Sequence, residues 1–160
     1  KSSESNDGIK LKGYGESSDA YHLSTPHPQG LGASSAMKSA LQRADLNIGD
    51  IDYVNLHGTA TPSNDSAEAK AMYSVFSDQV LTSSTKGVTG HTLGAAGITE
   101  AIICCLALEE NFLPANVNLK NPDPELPVQV LSSAINHTVN NVMSNSFGFG
   151  GSNCSLVFGW

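Results

Sequence analysis

The sequence predicts a single α/β domain over residues 1–160, with about five strands, enough for one sheet. Three observations carry this. Short apolar runs at 51–56 and 80–83 end in Gly- and Thr-rich segments. Between and around them lie helical stretches with apolar residues spaced i, i+3, i+4. The third is the stretch 93–110, apolar on nearly every face until its last turn. Such a helix expects to be buried all round, and its natural home is between two sheets. One sheet is too few for that, so the sequence reads as part of a longer protein whose remainder supplies the second.

In chain order, residues 9–14 alternate apolar and polar and read as a half-buried strand. Residues 17–32 form a Ser-, Pro-, His- and Gly-rich surface loop. The first helix covers 33–44, with Ala33, Ala36, Met37, Ala40, Leu41 and Ala44 on its apolar side. The strand at 51–56 stops at His57. A second helix covers 65–76, with Asn64 or Asp65 as its N-cap. The strand at 80–83 stops just short of Lys86. The apolar helix at 93–110 is interrupted by Gly and Glu100, too short and too broken to span a membrane. After an irregular, Pro-rich 116–128, two β-rich runs at 140–146 and 153–158 flank Phe147-Gly148-Phe149-Gly150-Gly151 and read as an antiparallel pair.

Composition narrows the function. Apolar residues make up 39% and charged residues 14%, with 15 Gly and 7 Pro, which excludes collagenous and disordered classes. The net charge is -7 and the eight basic residues are scattered singly, so nucleic acid and anionic membrane are poor partners. No signal peptide is read at the N-terminus, where the chain starts at Lys1 with a polar, turn-like 1–8, as a piece cut from a longer protein would. Cys104, Cys105 and Cys154 sit in apolar surroundings and read as reduced thiols of a cytoplasmic protein.

The chemistry concentrates in three segments: His57-Gly58-Thr59-Ala60-Thr61-Pro62, Ser84-Thr85-Lys86 and Thr89-Gly90-His91. Strand ends are where α/β proteins place reacting groups. A single histidine after a strand is more often structural, but Gly58, Thr59 and Thr61 keep the backbone accessible and offer hydroxyls. His91 sits just before the apolar helix, whose positive end disfavours an imidazolium. Two neutral imidazoles donating to one oxygen would stabilise an enolate. Lys86 reads as a fixed charge with Glu100 as its partner, because a buried carboxylate without a cation is costly. A metal set of His57 and His91 with Asp65 or Glu68 matches no zinc spacing, and Gly90-x-x-x-Gly94-x-x-Gly97 lacks the lysine of a phosphate loop. The Phe147–Gly151 run is open to two readings, a hairpin with core phenylalanines or an aromatic gate over an apolar tunnel.

Taken jointly, these motifs resemble the C-terminal half of β-ketoacyl-acyl-carrier-protein synthases of the two-histidine type, most closely the synthase II branch. The matching residues include Ser18-Asp19-Ala20-Tyr21-His22, His57 to Pro62, Asp65, Glu68, Ser84-Thr85-Lys86, Thr89-Gly90-His91, Gly94-Ala95-Ala96-Gly97, Asn118-Leu119 and Asn145 to Gly151. The resemblance implies half of a thiolase-like fold, a five-stranded mixed sheet with helices on both faces. It implies decarboxylative Claisen condensation of malonyl-acyl-carrier protein with an acyl group held as a thioester on a cysteine.

Carried over by position, His57 and His91 match the catalytic histidines and Lys86 the active-site lysine, supported by Glu100, Asp65 and Glu68. Thr59 and Thr61 match pantetheine-contacting threonines, and Ser24 and Thr25 fall near the pantetheine entrance. Phe147 falls in the substrate-binding set, and Phe149 matches the gating aromatic whose backbone N–H completes an oxyanion hole. Asn55, Glu100, Ser144 and Asn145 match positions that can hold a structural monovalent cation; no other metal and no cofactor is implied. The implied partners are acyl-carrier protein, the N-terminal half carrying the cysteine, and a second copy in a homodimer. Gly87 and Ser152 depart from the family's usual Ser and Thr, and Ala60 stands where Ser is common. None of the three cysteines sits at an elbow, so the nucleophile is expected outside this chain, and the chain alone is expected to be inactive. The rival reading is a non-catalytic partner subunit like a chain-length factor.

Overall fold

The computed structural model describes residues 8–160, so the turn expected at the extreme N-terminus lies outside it except for Gly8. Strand β1 (Lys10–Ser18) is followed by helix α1 (Leu31–Ala44), β2 (Tyr53–Asn55), α2 (Pro62–Phe76), β3 (Leu81–Ser83), the single turn α3 (Lys86–Thr89) and α4 (Ala96–Glu110). Then come β4 (Phe112–Leu113), β5 (Ile135–Asn136), β6 (Asn141–Gly148) and β7 (Ser152–Gly159).

Five strands form one sheet in the order β1-β7-β6-β2-β3, and β4 pairs β5 in a separate ribbon. β2 runs parallel to both β3 and β6, while β7 is antiparallel to β6 and β1. The sheet is therefore mixed, as expected. Alternation along the strands divides the core in two. Val54, Met143 and Val157 face Met37, Leu41, Met72 and Phe76 of α1 and α2. One residue along, Tyr53, Val142 and Phe158 face Cys104, Ala107 and Leu108 of α4. Helices thus cover both faces of the sheet.

Three expectations change. Helix α2 starts at Pro62 with Thr61 at the N-cap, three residues ahead of the expected start; Pro is well suited to the first helical position, where its missing N–H has no partner to lose. Helix α4 starts at Ala96 after a tight turn over Leu93–Ala95. It is also not buried all round. Ile98, Ile102 and Leu106, spaced i, i+4, i+8, are 64%, 54% and 49% exposed, because the sheet covers only the opposite side. Among the described residues no helix is long and apolar enough to cross a membrane.

β1 lies unusually close to α1. A Cβ at Gly13 or Gly15 would run into the main-chain oxygens of Ala40 and Ala36, so only glycine permits this approach. That contact carries β1 along the helix as far as Ser18.

Candidate active site

The ends of β2 and β3 and the start of the α4 segment converge. The His57 and His91 rings lie edge to face with centroids 5.5 Å apart, and the Phe147 ring is 5.7 Å from His57. All border a cavity of about 830 Å³. Thr59, Thr61, Phe149, Ser24 and Thr25 line it too. The Thr59 and Thr61 hydroxyls share a hydrogen bond of 2.9 Å. Phe149 is 81% exposed at the tip of the β6–β7 connection, where Gly150 and Gly151 both take positive φ.

Lys86 is buried behind His57. Its ammonium is bonded to Glu100 in an ion pair, to the His57 main-chain oxygen, and to His57 Nδ1 at 3.4 Å. The expected Lys86–Glu100 pairing is therefore present. An ammonium has only protons to offer, so His57 Nδ1 accepts and the ring proton sits on Nε2. His91 reaches the same tautomer by another route, since the Leu93 N–H donates to its Nδ1 at 3.3 Å. That local bond orients the ring. Burial, then the Lys86 charge, then His91 push His57 down to about 3, so it is a neutral imidazole across physiological pH.

Glu68 supports the loop from α2. Its carboxylate accepts the His57 and Gly58 N–H groups, each at 2.8 Å, and the Asn64 amide at 3.3 Å. Asp65 acts one step further out by accepting from Asn64 at 3.2 Å. Both carboxylates are occupied in this way, and among the described residues no three His, Cys, Asp or Glu side chains gather as a metal site.

The monovalent-cation positions divide. Asn55 Oδ1, Glu100 Oε2 and Ser144 Oγ are buried oxygens without a hydrogen-bond partner. Three such oxygens suit a hard cation. Burial pushes the Glu100 carboxyl up while Lys86 opposes it. Asn145 does not join them. One residue further along β6 its side chain faces the other layer, where its amide touches the sulfurs of Met37 and Met72 and its oxygen accepts from Ser155 at 2.7 Å.

The three cysteines are free. Burial raises the thiol pKa of each, which disfavours the thiolate a nucleophile needs.

The model of the beta-ketoacyl synthase C-terminal domain matches residues 9–120. The chain belongs to the β-ketoacyl synthase family. The mitochondrial 3-oxoacyl-acyl-carrier-protein synthase of Arabidopsis thaliana is 47% identical over 156 residues, covering 93% of this chain and 34% of that protein. Synthase 2 of Coxiella burnetii is 44% identical over 152 residues, covering 92% of this chain and 37% of its own length. The chain thus spans about a third of the curated relatives it matches. Among solved structures, a ketosynthase from Xenorhabdus doucetiae in complex with its chain length factor superposes with a TM-score of 0.91 at 46% identity, over 96% of this chain and 39% of that one. A β-ketoacyl synthase from Burkholderia phymatum gives 0.90 at 37% identity, over 94% and 37%. The fold is that of the thiolase-like ketosynthases. The match to the family model ends at residue 120, yet β6 and β7 stand between β1 and β2 in the ketosynthase sheet, so residues 121–160 are integral to it.

Two groups of contacts at this site have no signal in spacing or composition. Asp19 accepts the His27 N–H and the Asn153 amide, each at 2.9 Å, and its own N–H donates to Gly151 O at 2.8 Å. With the Gly150 N–H to Leu23 O bond of 2.7 Å, this straps the 19–27 loop to the Phe149 turn. Asn116, from the Pro-rich stretch, accepts the Ser84 N–H at 2.9 Å.

Proposed function

We propose that this chain is the decarboxylating half of a β-ketoacyl-acyl-carrier-protein synthase. The observation that carries the reading is the pair of imidazoles 5.5 Å apart, each with Nδ1 already accepting. Both have only Nε2–H to give, and both border the same cavity.

In this reading a malonyl thioester on the pantetheine of acyl-carrier protein enters past Ser24 and Thr25. Thr59 and Thr61 bind the pantetheine, and the thioester oxygen takes the two Nε2–H bonds. The bond between the α-carbon and the carboxylate breaks, carbon dioxide leaves, and its electron pair forms an enolate whose oxygen the imidazoles stabilise. The enolate carbon attacks the acyl thioester carbonyl and the cysteine thiolate departs. That cysteine belongs to an N-terminal half, with the Phe149 N–H serving the acyl oxygen. His57 must be neutral for this, and its low pKa keeps it so. Asn55, Glu100 and Ser144 would hold a monovalent cation, which supplies fixed charge beside the Lys86–Glu100 pair. No other cofactor is invoked. The whole protein is a cytoplasmic homodimer of fatty acid or related synthesis.

The bonded arrangement of His57, Lys86 and His91 favours a catalyst over a chain-length-factor-like subunit. The test is His57→Ala in the full enzyme. Malonyl decarboxylation should fall at least about a hundredfold while acyl loading of the cysteine survives. Loss of loading with decarboxylation intact would overturn the assignment.

A further inference from the structure

The Lys86 turn and the His57 turn are not held together by Lys86 alone. The Ser84 hydroxyl donates to Gly58 O at 3.1 Å and accepts the Lys86 N–H at 3.4 Å. The two turns lie so close that a Cβ on Gly58 would collide with the Ser84 side chain. Ser84 is itself held from outside. Its N–H ends at Asn116 Oδ1, 2.9 Å away, and the Asn116 N–H in turn donates to Leu131 O at 2.8 Å. Ser84 is 7% exposed, so an unmet N–H there would be costly.

We infer that Asn116 and Ser84 form one positioning brace: the Asn116 carboxamide oxygen fixes the Ser84 backbone, and the Ser84 hydroxyl then sets the spacing between the Lys86 and His57 turns. Neither residue lines the 830 Å³ cavity that His57 and His91 border. The brace rests on the proposed reaction for its kinetic consequence, but not for its structural one. The charged and titratable groups around His57 are Lys86 from α3, His91 ahead of α4, Glu68 from α2 and, through Lys86, Glu100 from α4. A slackened brace lets Lys86 move from the His57 ring while the other three stay in place.

The experiment uses Asn116→Leu, Ser84→Ala and the double variant in the full enzyme, with Asn116→Asp as the variant that keeps an acceptor. Malonyl decarboxylation and acyl loading are measured separately, and amide hydrogen exchange is followed in the 57–58 and 84–86 turns. Each single loss should lower kcat for decarboxylation about tenfold, with KM and acyl loading unchanged. Each should also speed amide exchange in the 57–58 and 84–86 turns. The double variant should be no worse than the poorer single one, because either loss already opens the brace. Asn116→Asp should keep most of the parental kcat. Unchanged kcat and amide exchange in folded Ser84→Ala overturns the brace, as do additive losses or equal losses in decarboxylation and loading. If Asn116→Leu fails to fold, Ser84→Ala decides alone. A parent enzyme without decarboxylase activity would sink the proposed function, and amide exchange in the two turns would still decide the brace.

Discussion

The carboxylate of Glu68 holds the main chain of His57, accepting its N–H at 2.8 Å across eleven residues of sequence. Burial pushes that carboxyl from 4.5 up to about 7, while bonds from Gly58, His57 and Asn64 and the charge on Lys86 hold it down. The folded state therefore keeps a proton that the unfolded chain has released between those values. The stability contributed by this group is full below about pH 4.5 and is lost as pH rises through 7. The loss amounts to about 3 kcal/mol. Glu68→Gln removes the titration, so the stability difference between parent and variant in urea unfolding should shrink from pH 5 to pH 8. A constant difference would contradict the shift.

The Lys86–Glu100 pair is buried, with side chains 6% and 1% exposed. Lys86→Met should cost about 3–5 kcal/mol, because it strands a carboxylate rather than merely removing a bond. Adding Glu100→Gln should recover much of this. Thermal unfolding of the two variants checks it; a double variant no more stable than the single one would show that the stranded charge is not the cause.

Gly87 stands where the family's usual residue is Ser. A Cβ there would lie 2.6 Å from the Val117 main-chain oxygen. Gly87→Ser should therefore destabilise by about 1–3 kcal/mol in denaturant unfolding, although it restores the common residue. A neutral or stabilising outcome would mean that the 116–118 segment shifts without cost.

Asn55 Oδ1, Glu100 Oε2 and Ser144 Oγ predict dependence on small monovalent cations. In potassium or sodium salts the protein should be more stable by about 1–3 kcal/mol than in tetramethylammonium at equal ionic strength. Ser144→Ala should weaken this preference. An identical unfolding midpoint in all three salts would argue against a bound cation.

Much of the architecture is local, and so it was legible in the sequence. Periodicity located β1, α1, β2, β3, β6 and β7 to within a few residues, because each buries one face and the pattern records which. The same logic placed His57 and Lys86 just past the ends of β2 and β3, whereas His91 follows the α3 turn ahead of α4. It also detected that α4 is too apolar for one sheet, and the exposed Ile98, Ile102 and Leu106 are that surplus in three dimensions. What the tertiary structure alone decided are the directions of side chains between distant segments. Asn145 reads like Ser144 in a motif, but the pleat sends it to Met37 and Met72 instead of toward Glu100. Asn116 looks like one more polar residue in a Pro-rich loop, yet it meets Ser84 from 32 residues away. A hydrogen bond between such segments leaves no period in the sequence. It follows only from how the sheet and its two helical layers bring the segments together.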